Sequence, residues 1–273
     1  MTTLQARRTA EELLQAAGVP DAAADAAWLL CHVMNCERGQ LLLLNGQEMD
    51  ADAQARYFDL IAKRSERIPL QRLTGKAYFM GTELLVKEDV LIPRQDTELL
   101  CEKALAVAEK SSCKTVLDMC SGSGAVAVCL AKMTKMTVSA ADISKACIGA
   151  IGENAAHNGI ALEVVQSDLF EKFVDRRFDM ITCNPPYVPI ADGAEIQSEV
   201  RHDPALALYS GADGLDFIRR IAEGVAEYMN NGGTLLMEFG DGQQDAVREI
   251  FAGRDIIIYE DMQQLPRVAE IKF

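Results

Sequence analysis

Residues 114–133 have the sequence KTVLDMCSGSGAVAVCLAKM, and this stretch decides the fold class. KTVLDMC is an apolar run typical of a buried strand, and GAVAVCLAKM has the apolar spacing of a helix. Gly122 and Gly124 lie between them, where glycine lets a ligand approach the backbone and the first N–H groups of a helix are free. The pattern is compatible with an ordinary turn, with a dinucleotide site or with an S-adenosylmethionine site.

Strands and helices continue to alternate to the end of the chain. Strands are predicted over residues 136–142, 162–168, 178–184, 232–240, 255–261 and 267–273, and helices over 144–159, 214–229 and 243–253. Strands that alternate with helices form a largely parallel sheet with helices on both faces. The sequence therefore predicts an α/β domain over residues 93–273.

The first third of the chain has a different pattern. Residues 1–75 carry apolar side chains at three- and four-residue spacing in TAEELLQAAGV, DAAADAAWLLCHVMN and DADAQARYFDLIAKRSERI, which predicts a small helical domain. Residues 76–92, KAYFMGTELLVKEDVLI, are β-prone with Gly81 as a turn residue, which predicts a β-hairpin linker.

Polar residues end or follow several of the predicted strands. Ligands of such sheets bind beyond the carboxyl ends of the strands, so we expect Asp118, Asp142, Asp168 and Asn184 along one rim. The Asp142 carboxylate can accept both ribose hydroxyls of an adenosine-containing ligand, and the Asp168 carboxylate can accept the adenine amino group. The alternative is that both residues only cap helices or form turns.

Asn184-Pro185-Pro186-Tyr187 follows the strand predicted at 178–184 and favours one reaction class. A planar NH₂ group is a poor nucleophile, and two acceptors placed off its plane would direct its lone pair. Asn184 offers a side-chain carbonyl, and Pro185 offers a backbone carbonyl that Pro186 holds in extended geometry. Tyr187 can stack on the flat target group. The alternative is a rigid turn at the end of a strand; a dehydrogenase would not need this tetrapeptide.

Composition limits the remaining possibilities. The 273-residue chain carries a net charge of −14 at pH 7, which opposes binding to DNA or RNA in general. No apolar run approaches the roughly 20 residues of a membrane span, and MTTLQARRTAEELLQ lacks the apolar segment of a secretory signal. Eight cysteines without a C-x-x-C pair predict free thiols in a reducing cytoplasm.

Metal and covalent chemistry are not indicated by the sequence. The three histidines show no H-x-x-H spacing, and neither G-x-S-x-G nor G-x-x-x-x-G-K-[ST] is present. We therefore predict no metal site and no covalent nucleophile, and methyl transfer from a sulfonium requires neither.

Beyond these residues, the chain resembles the HemK/PrmC family. The resemblance covers nearly the whole chain and includes segments that nucleobase methyltransferases with a similar tetrapeptide do not usually share. These segments are PLQRLTGKAYFMG (69–81), VLIPRQDTELL (90–100), HDPALALYSGADGLDFIRRI (202–221) and GGTLLMEFGDGQ (232–243). Members of the family methylate the side-chain amide nitrogen of a glutamine, in the GGQ motif, of class-1 peptide-chain release factors.

The resemblance implies a seven-stranded Rossmann-like methyltransferase domain with S-adenosylmethionine as methyl donor. It also implies a helical N-terminal domain that recognises the release factor. The residues implied to bind the donor are Leu91, Cys120, Ser121, Gly122, Ser123, Gly124, Asp142, Asp168, Leu169 and Asn184. Those implied to bind the substrate and support catalysis are Asn184, Pro185, Pro186 and Tyr187.

The sequence departs from the family pattern at three places, one of which is DMQQLPRV near the end of the chain, where Asp261 and Arg267 are kept but the family's intervening glycine is absent. Cys120-Ser121 replaces Gly-Thr at the start of the glycine-rich loop, and a backbone contact survives the change if Cys120 does not require a positive φ. Gln95-Asp96 replaces Pro-Glu and keeps an acidic residue.

Three hypotheses follow from the sequence. The first is glutamine methylation of release factors in the cytoplasm, without a membrane or nucleic-acid partner. The second is an amino-methyltransferase that acts on a base of DNA or RNA, which the acidic charge disfavours. The third is a catalytically silent module that keeps the donor pocket, which the complete tetrapeptide disfavours.

Overall fold

The computed structural model describes residues 1–194 and 197–273. They form two compact units: Met1–Gly75 with Gln197–His202, and Lys76–Ile196 with Asp203–Phe273. Within the described residues, no helix has the length and apolar character needed to cross a bilayer.

The first unit is helical. Its helices are α1 (Thr3–Ala16), α2 (Ala22–Met34), α3 (Leu41–Leu44), α4 (Ala51–Ser65) and α5 (Leu70–Thr74). Thr2 and Gln5 form a capping box at the start of α1, and the Asp50 carboxylate accepts the Ala53 N–H at the start of α4. Buried residues from α1, α2 and α4 form its core, and these include Leu14, Leu30, Tyr57 and Ile61.

A partly buried network of charges completes the first unit. Arg64 donates to the Asp25 carboxylate at 2.7 Å and to Glu199 at 3.0 Å. Arg67 donates to both oxygens of Glu199 at 2.7 Å. Partial burial acts to raise the pKa of Glu199, but the hydrogen bonds from Arg67 and Arg64 outweigh it and hold this pKa at about 2.

The second unit begins with a hairpin of strands β1 (Lys76–Phe79) and β2 (Thr82–Leu85). Met80 and Gly81 connect the strands with φ of 49° and 71°, the two left-handed residues that a type I′ turn requires. Phe79 and Leu84 are buried in the core of this unit.

The rest of the second unit is an α/β sandwich, which confirms the predicted fold class. In chain order its elements are α6 (Asp96–Lys110), β3 (Thr115–Met119), α7 (Ala125–Met133), β4 (Thr137–Asp142), α8 (Lys145–His157), β5 (Glu163–Gln166), β6 (Phe178–Cys183), α9 (Asp216–Gly224), β7 (Met229–Glu238), α10 (Gln244–Ile250), β8 (Ile256–Glu260) and β9 (Pro266–Lys272). Helix α6 was not predicted from the sequence.

The seven strands are ordered β5-β4-β3-β6-β7-β9-β8. The pairs from β5 to β7 are parallel, and β9 runs antiparallel to both β7 and β8. Two apolar cores lie against the sheet, one containing α6, α7 and α8 residues and the other α9 and α10 residues. Because the chain order reverses between β3 and β6, a crevice opens at the carboxyl ends of these strands.

Candidate active site

A cavity of about 230 Å³ lies at the carboxyl ends of β3, β4, β5 and β6. Most of the residues predicted for the site line it, and these are Leu91, Cys120, Gly122, Asp142, Asp168, Leu169, Asn184 and Pro186. Ser121 and Ser123 line a smaller neighbouring cavity of about 50 Å³ that shares Leu91, Cys120, Gly122 and Asn184. The structure thus brings the glycine-rich loop, the strand-end acids and the start of the tetrapeptide together.

The glycine-rich loop turns through left-handed backbone. Cys120, Gly122 and Gly124 have φ of 56°, 57° and 83°. A Cβ atom on Gly124 would lie 3.3 Å from the Ile151 Cα atom, a tight contact that adds to the strain of a side chain at this positive φ, so glycine is favoured there. Nothing lies within 4 Å of a Cβ atom on Gly122, whose backbone faces the cavity.

Cys120 therefore does adopt the positive φ that a non-glycine residue avoids. The left-handed conformation costs a non-glycine residue roughly 1–2 kcal/mol. The loop keeps its shape despite this cost because Ser121 N–H donates to the Ala141 carbonyl at 3.0 Å and Gly124 N–H donates to the Ser121 carbonyl at 2.8 Å.

Asp118 was expected on the rim but lies deeper, with 2% of its surface exposed. It is the second-last residue of β3, and its carboxylate accepts hydrogen bonds from Ser121 Oγ and Thr182 Oγ1. Burial raises the pKa of Asp118 to about 6, against these hydrogen bonds. Asp118 thus holds Ser121, in the glycine-rich loop, through a hydrogen bond from the buried side of the loop.

Asp142 ends β4 at the edge of the cavity. Its Oδ2 accepts the Gly122 N–H and its Oδ1 accepts the Ser144 N–H, both at 2.9 Å. The helix that follows is capped by Ser144, whose side chain accepts from Cys147 N–H. Burial raises the pKa of Asp142, against the backbone hydrogen bonds. Asp142 also lines the cavity, so a bound ligand can reach its carboxylate.

Asp168 and Leu169 follow β5. Nη2 of Arg220, on α9, lies 2.9 Å from each oxygen of the Asp168 carboxylate. Leu169 is buried and has φ of 46°. Phe217, also on α9, faces the same cavity, and Arg220 lies 5.5 Å from the centre of its ring. Neither Phe217 nor Arg220 was identified from the sequence.

The tetrapeptide is held from several sides. Asn184 Nδ2 donates to Thr97 Oγ1 at 3.0 Å, and Pro185 and Pro186 are buried. The Tyr187 hydroxyl donates to Glu238 Oε1 at 3.1 Å, and Gln243 Nε2 donates to the Tyr187 carbonyl at 2.9 Å. The hydrogen bond to Thr97 uses one N–H of the Asn184 amide, and its carbonyl oxygen accepts no side-chain or backbone hydrogen bond from residues 1–194 or 197–273.

Glu238, the last residue of β7, is 1% exposed. Burial raises its pKa to about 7, although the hydroxyls of Thr97 and Tyr187 and the charge of Arg267 act to lower it. Its Oε2 receives no well-formed hydrogen bond from any residue in 1–194 or 197–273. Thr97 and Glu238 were not predicted as part of the site.

The chain segments around the cavity are tied to one another. Arg94, in the segment before α6, forms an ion pair with the buried carboxylate of Asp203, which also accepts the Ile92 N–H.

In the part of the chain that the structure describes, no three His, Cys, Asp or Glu side chains converge as metal ligands would.

Comparison with known proteins supports one family. Residues 5–75 match the family model of the PrmC N-terminal domain, and residues 95–205 match that of the methyltransferase small domain. A release factor glutamine methyltransferase of Koribacter versatilis is 38% identical over 272 residues. The match covers 98% of this chain and 97% of the relative. The chain belongs to the release factor glutamine methyltransferase family. A second relative, the release factor glutamine methyltransferase of Deinococcus radiodurans, is 41% identical. The match covers 82% of this chain and 81% of the relative.

Solved structures support the fold alone. A ribosomal protein L11 methylase of Lactobacillus delbrueckii subsp. bulgaricus matches with a TM-score of 0.50 and 21% identity, over 67% of this chain and 81% of its own. A T. thermophilus 16S rRNA methyltransferase in complex with AdoMet and guanosine matches with a TM-score of 0.51 and 18% identity, over 72% of this chain and 49% of its own. This chain therefore has a Rossmann-like methyltransferase fold. As a member of the release factor glutamine methyltransferase family, it is an S-adenosylmethionine-dependent methyltransferase.

Proposed function

We propose that this chain transfers a methyl group from S-adenosylmethionine to the side-chain amide nitrogen of a glutamine in class-1 release factors. The observation that carries the proposal is the hydrogen bond from Asn184 to Thr97, 3.0 Å long, at the edge of the cavity. It leaves the Asn184 carbonyl oxygen to accept an N–H of the target amide. The names of the relatives indicate the release factor as substrate.

The donor side of the cavity fits an adenosine-containing sulfonium. The open backbone at Gly122 permits close approach, and the Asp142 carboxylate, which lines the cavity, would accept the ribose hydroxyls. Leu91, Cys120 and Leu169 provide apolar walls. We assign Asp168 to the adenine amino group, in addition to its pairing with Arg220. The bound donor supplies an electrophilic methyl group on sulfur.

The acceptor side must turn an unreactive carboxamide into a nucleophile. Asn184 and the carbonyl of Pro185 would each accept one N–H of the target, which favours a nitrogen lone pair directed at the methyl group. Because Pro185 and Pro186 are buried and conformationally fixed, little reorganisation is needed. Tyr187, held through its hydroxyl and its carbonyl, would pack against the target amide.

We further propose that the helical unit helps to bind the release factor and that the reaction takes place in the cytoplasm, where translation ends. The net charge of −14 at pH 7 favours a protein substrate over a nucleic acid. A gel-shift assay with DNA and RNA at low salt tests the nucleobase alternative. Strong, salt-sensitive binding would favour that alternative.

The central experiment incubates the purified chain with S-adenosylmethionine and a class-1 release factor and locates added methyl groups by mass spectrometry. One methyl group on a single glutamine is expected. Asn184→Ala should lower kcat roughly 100-fold, because one acceptor is lost, with little change in donor affinity by calorimetry. Gln263→Ala, exposed in the turn before β9, is the matched control. Undiminished turnover by Asn184→Ala would refute the role of Asn184, and failure of the wild-type chain to methylate any glutamine would refute the proposed function.

A further inference from the structure

The side-chain amide of Gln243 lies directly behind the tetrapeptide. Gln243 immediately precedes α10 and is 9% exposed. Its Nε2 donates to the Tyr187 carbonyl at 2.9 Å and, over a longer distance of 3.4 Å, to the Asp213 carbonyl. Its Oε1 accepts the Gly240 N–H at 2.8 Å. One amide therefore joins the tetrapeptide, the segment before α9 and the turn after β7.

The partners of Gln243 decide which way its amide faces. The two ends of a glutamine amide have nearly the same shape, so hydrogen bonds alone orient it. A backbone N–H only donates and a backbone carbonyl only accepts, so the oxygen must face Gly240 and the NH₂ group must face Tyr187. The turn also packs on both side chains, because a Cβ atom on Gly240 would lie 3.0 Å from Gln243 Oε1 and 3.1 Å from Cδ2 of the Tyr187 ring.

The Gln243 amide holds one end of a peptide plane whose other end is held by the main chain. The carbonyl of Tyr187 and the N–H of Val188 belong to the same planar peptide group. This N–H donates to the Leu208 carbonyl at 2.8 Å. With only one of the two hydrogen bonds, the peptide plane can tilt about the bond that remains.

A tilt of this plane would be passed on to the acceptor side of the cavity. Only Pro186 separates Tyr187 from Pro185, and the proline ring fixes its own φ, so few torsions can absorb a change. The Tyr187 hydroxyl is held at the far end of the ring by Glu238 at 3.1 Å. The position of the Pro185 carbonyl and of the Tyr187 ring therefore depends on how the Tyr187 carbonyl is held.

We propose that Gln243 is a positioning residue for methyl transfer, which acts through the Tyr187 main chain to place the Pro185 carbonyl and the Tyr187 ring against the target amide. The proposal rests on the proposed function, since it concerns how the acceptor side of that site is arranged. Gln243 lies outside both cavities, so its effect on the reaction passes through Tyr187.

Two substitutions separate the bond to Tyr187 from the bond to Gly240. Gln243→Glu, assayed at about pH 8.5 where a carboxyl group is ionised, keeps an acceptor for the Gly240 N–H and loses the donor to the Tyr187 carbonyl. Gln243→Met has a similar length and loses both bonds. Gln244→Met is the matched control, because Gln244 is the next residue and its Oε1 has no hydrogen-bond partner among the described residues.

The test measures kcat with both substrates saturating, and calorimetry counts the donor-binding sites so that unfolded protein does not contribute. We expect both Gln243 variants to lower kcat per site roughly 10- to 100-fold, because the acceptor groups are misplaced. The Kd for S-adenosylmethionine should change less than about two-fold, since the donor side is untouched. Gln244→Met should keep kcat within about two-fold of wild type.

A merely structural role of Gln243 predicts a different result. Gln243→Glu would then keep the wild-type kcat through its bond to Gly240, and Gln243→Met would lower Tm without lowering kcat per site. Wild-type kcat per site in either variant would overturn the proposal, and so would a Kd for the donor that rises as much as kcat falls. If Gln243→Glu does not fold, Gln243→Met alone decides. A wild-type chain that binds donor but methylates no glutamine would contradict the proposed function instead.

Discussion

A Cβ atom on Gly214 would lie 2.2 Å from the carbonyl oxygen of Tyr187 and 2.6 Å from Gln243 Nε2, the group that donates to that carbonyl. Gly214 also has φ of 78°. The glycine therefore permits the segment before α9 to pack directly on the backbone of the tetrapeptide. Any side chain at this position must displace Tyr187, Gln243 or the segment itself.

We accordingly expect Gly214→Ala to lower kcat at least about 10-fold by disturbing the tetrapeptide. Unfolding free energy should fall by about 2 kcal/mol, since strain at positive φ adds to the clash. Gly242→Ala is the matched control, because Gly242 has φ of 75° and nothing lies within 4 Å of its added Cβ atom. Equal effects of the two substitutions on kcat would contradict the packing argument.

Cys120→Gly should stabilise the chain. The left-handed φ of 56° costs cysteine roughly 1–2 kcal/mol, which glycine avoids, although part is lost to the greater freedom of glycine in the unfolded chain. A rise in Tm of about 2–4 °C in thermal unfolding is the expected result. Gln264→Gly is the control, because Gln264 lies in the turn before β9, away from the cavity, and also has a left-handed φ of 63°. It shows how much stability is gained when glycine removes this backbone strain alone. A lower Tm for Cys120→Gly would show that contacts of the thiol matter more than strain.

Asp142→Asn should weaken donor binding. The substitution removes a charge from a carboxylate that holds two backbone N–H groups and lines the cavity. Loss of charged hydrogen bonds worth about 1.5–3 kcal/mol predicts a Kd for S-adenosylmethionine roughly 10- to 100-fold higher by calorimetry. Asp241→Asn, at an exposed position, should leave Kd unchanged. An unaltered Kd in Asp142→Asn would remove Asp142 from the donor site.

Glu199 should contribute stability that depends on pH. Its pKa in the folded chain, about 2, lies below the ordinary value of 4.5, so the contribution is fully present above about pH 4.5 and is lost as the pH falls through about 2. Glu199→Gln should lower the free energy of unfolding by about 2 kcal/mol at neutral pH, and the difference from wild type should shrink on acidification. Urea unfolding of the variant and the wild-type chain at several pH values measures this difference in unfolding free energy.

Glu48→Gln is the matched control for this prediction, since Glu48 pairs with the N-terminal amine but its side chain is 75% exposed. An exposed pair contributes little, so its variant should differ from wild type by less than about 1 kcal/mol at every pH. A pH-independent deficit in Glu199→Gln would mean that packing, not ionisation, is responsible.

The parallel sheet could be predicted because its strands carry their own signals. Buried runs such as KTVLDMC are apolar on both faces, and turn residues separate them from helices of regular apolar spacing. Helix α6 was missed although Asp96 and Glu98 lie in its first turn and Leu100, Ala104 and Val107 recur on its buried side. These are the ordinary signals of a helix start and of an amphipathic helix.

The cavity-lining residues could be predicted where local motifs contain them, as at Gly122, Asp142 and Asn184. The partner of Asn184 could not, because Thr97 lies 87 residues away in the chain and meets it only through the packing of α6 against the sheet. Glu238 was equally hidden, since a single acidic residue at a strand end does not reveal whether folding will bury it. The left-handed φ of Cys120 is not signalled by cysteine itself, which does not favour that conformation; only the glycine that the family has at this position points to it.

The two sides of the cavity come from separate stretches of the gene. Leu91 to Leu169 supply most of the donor side, to which α9 adds Phe217. Asn184 to Glu238 supply the tetrapeptide and the group that accepts the Tyr187 hydroxyl, and Thr97 is the partner that the first stretch adds to this side. After a gene duplication, changes confined to the second stretch could recruit a different methyl acceptor while selection preserves the first. Divergence of specificity in this architecture therefore does not require a new donor pocket to evolve.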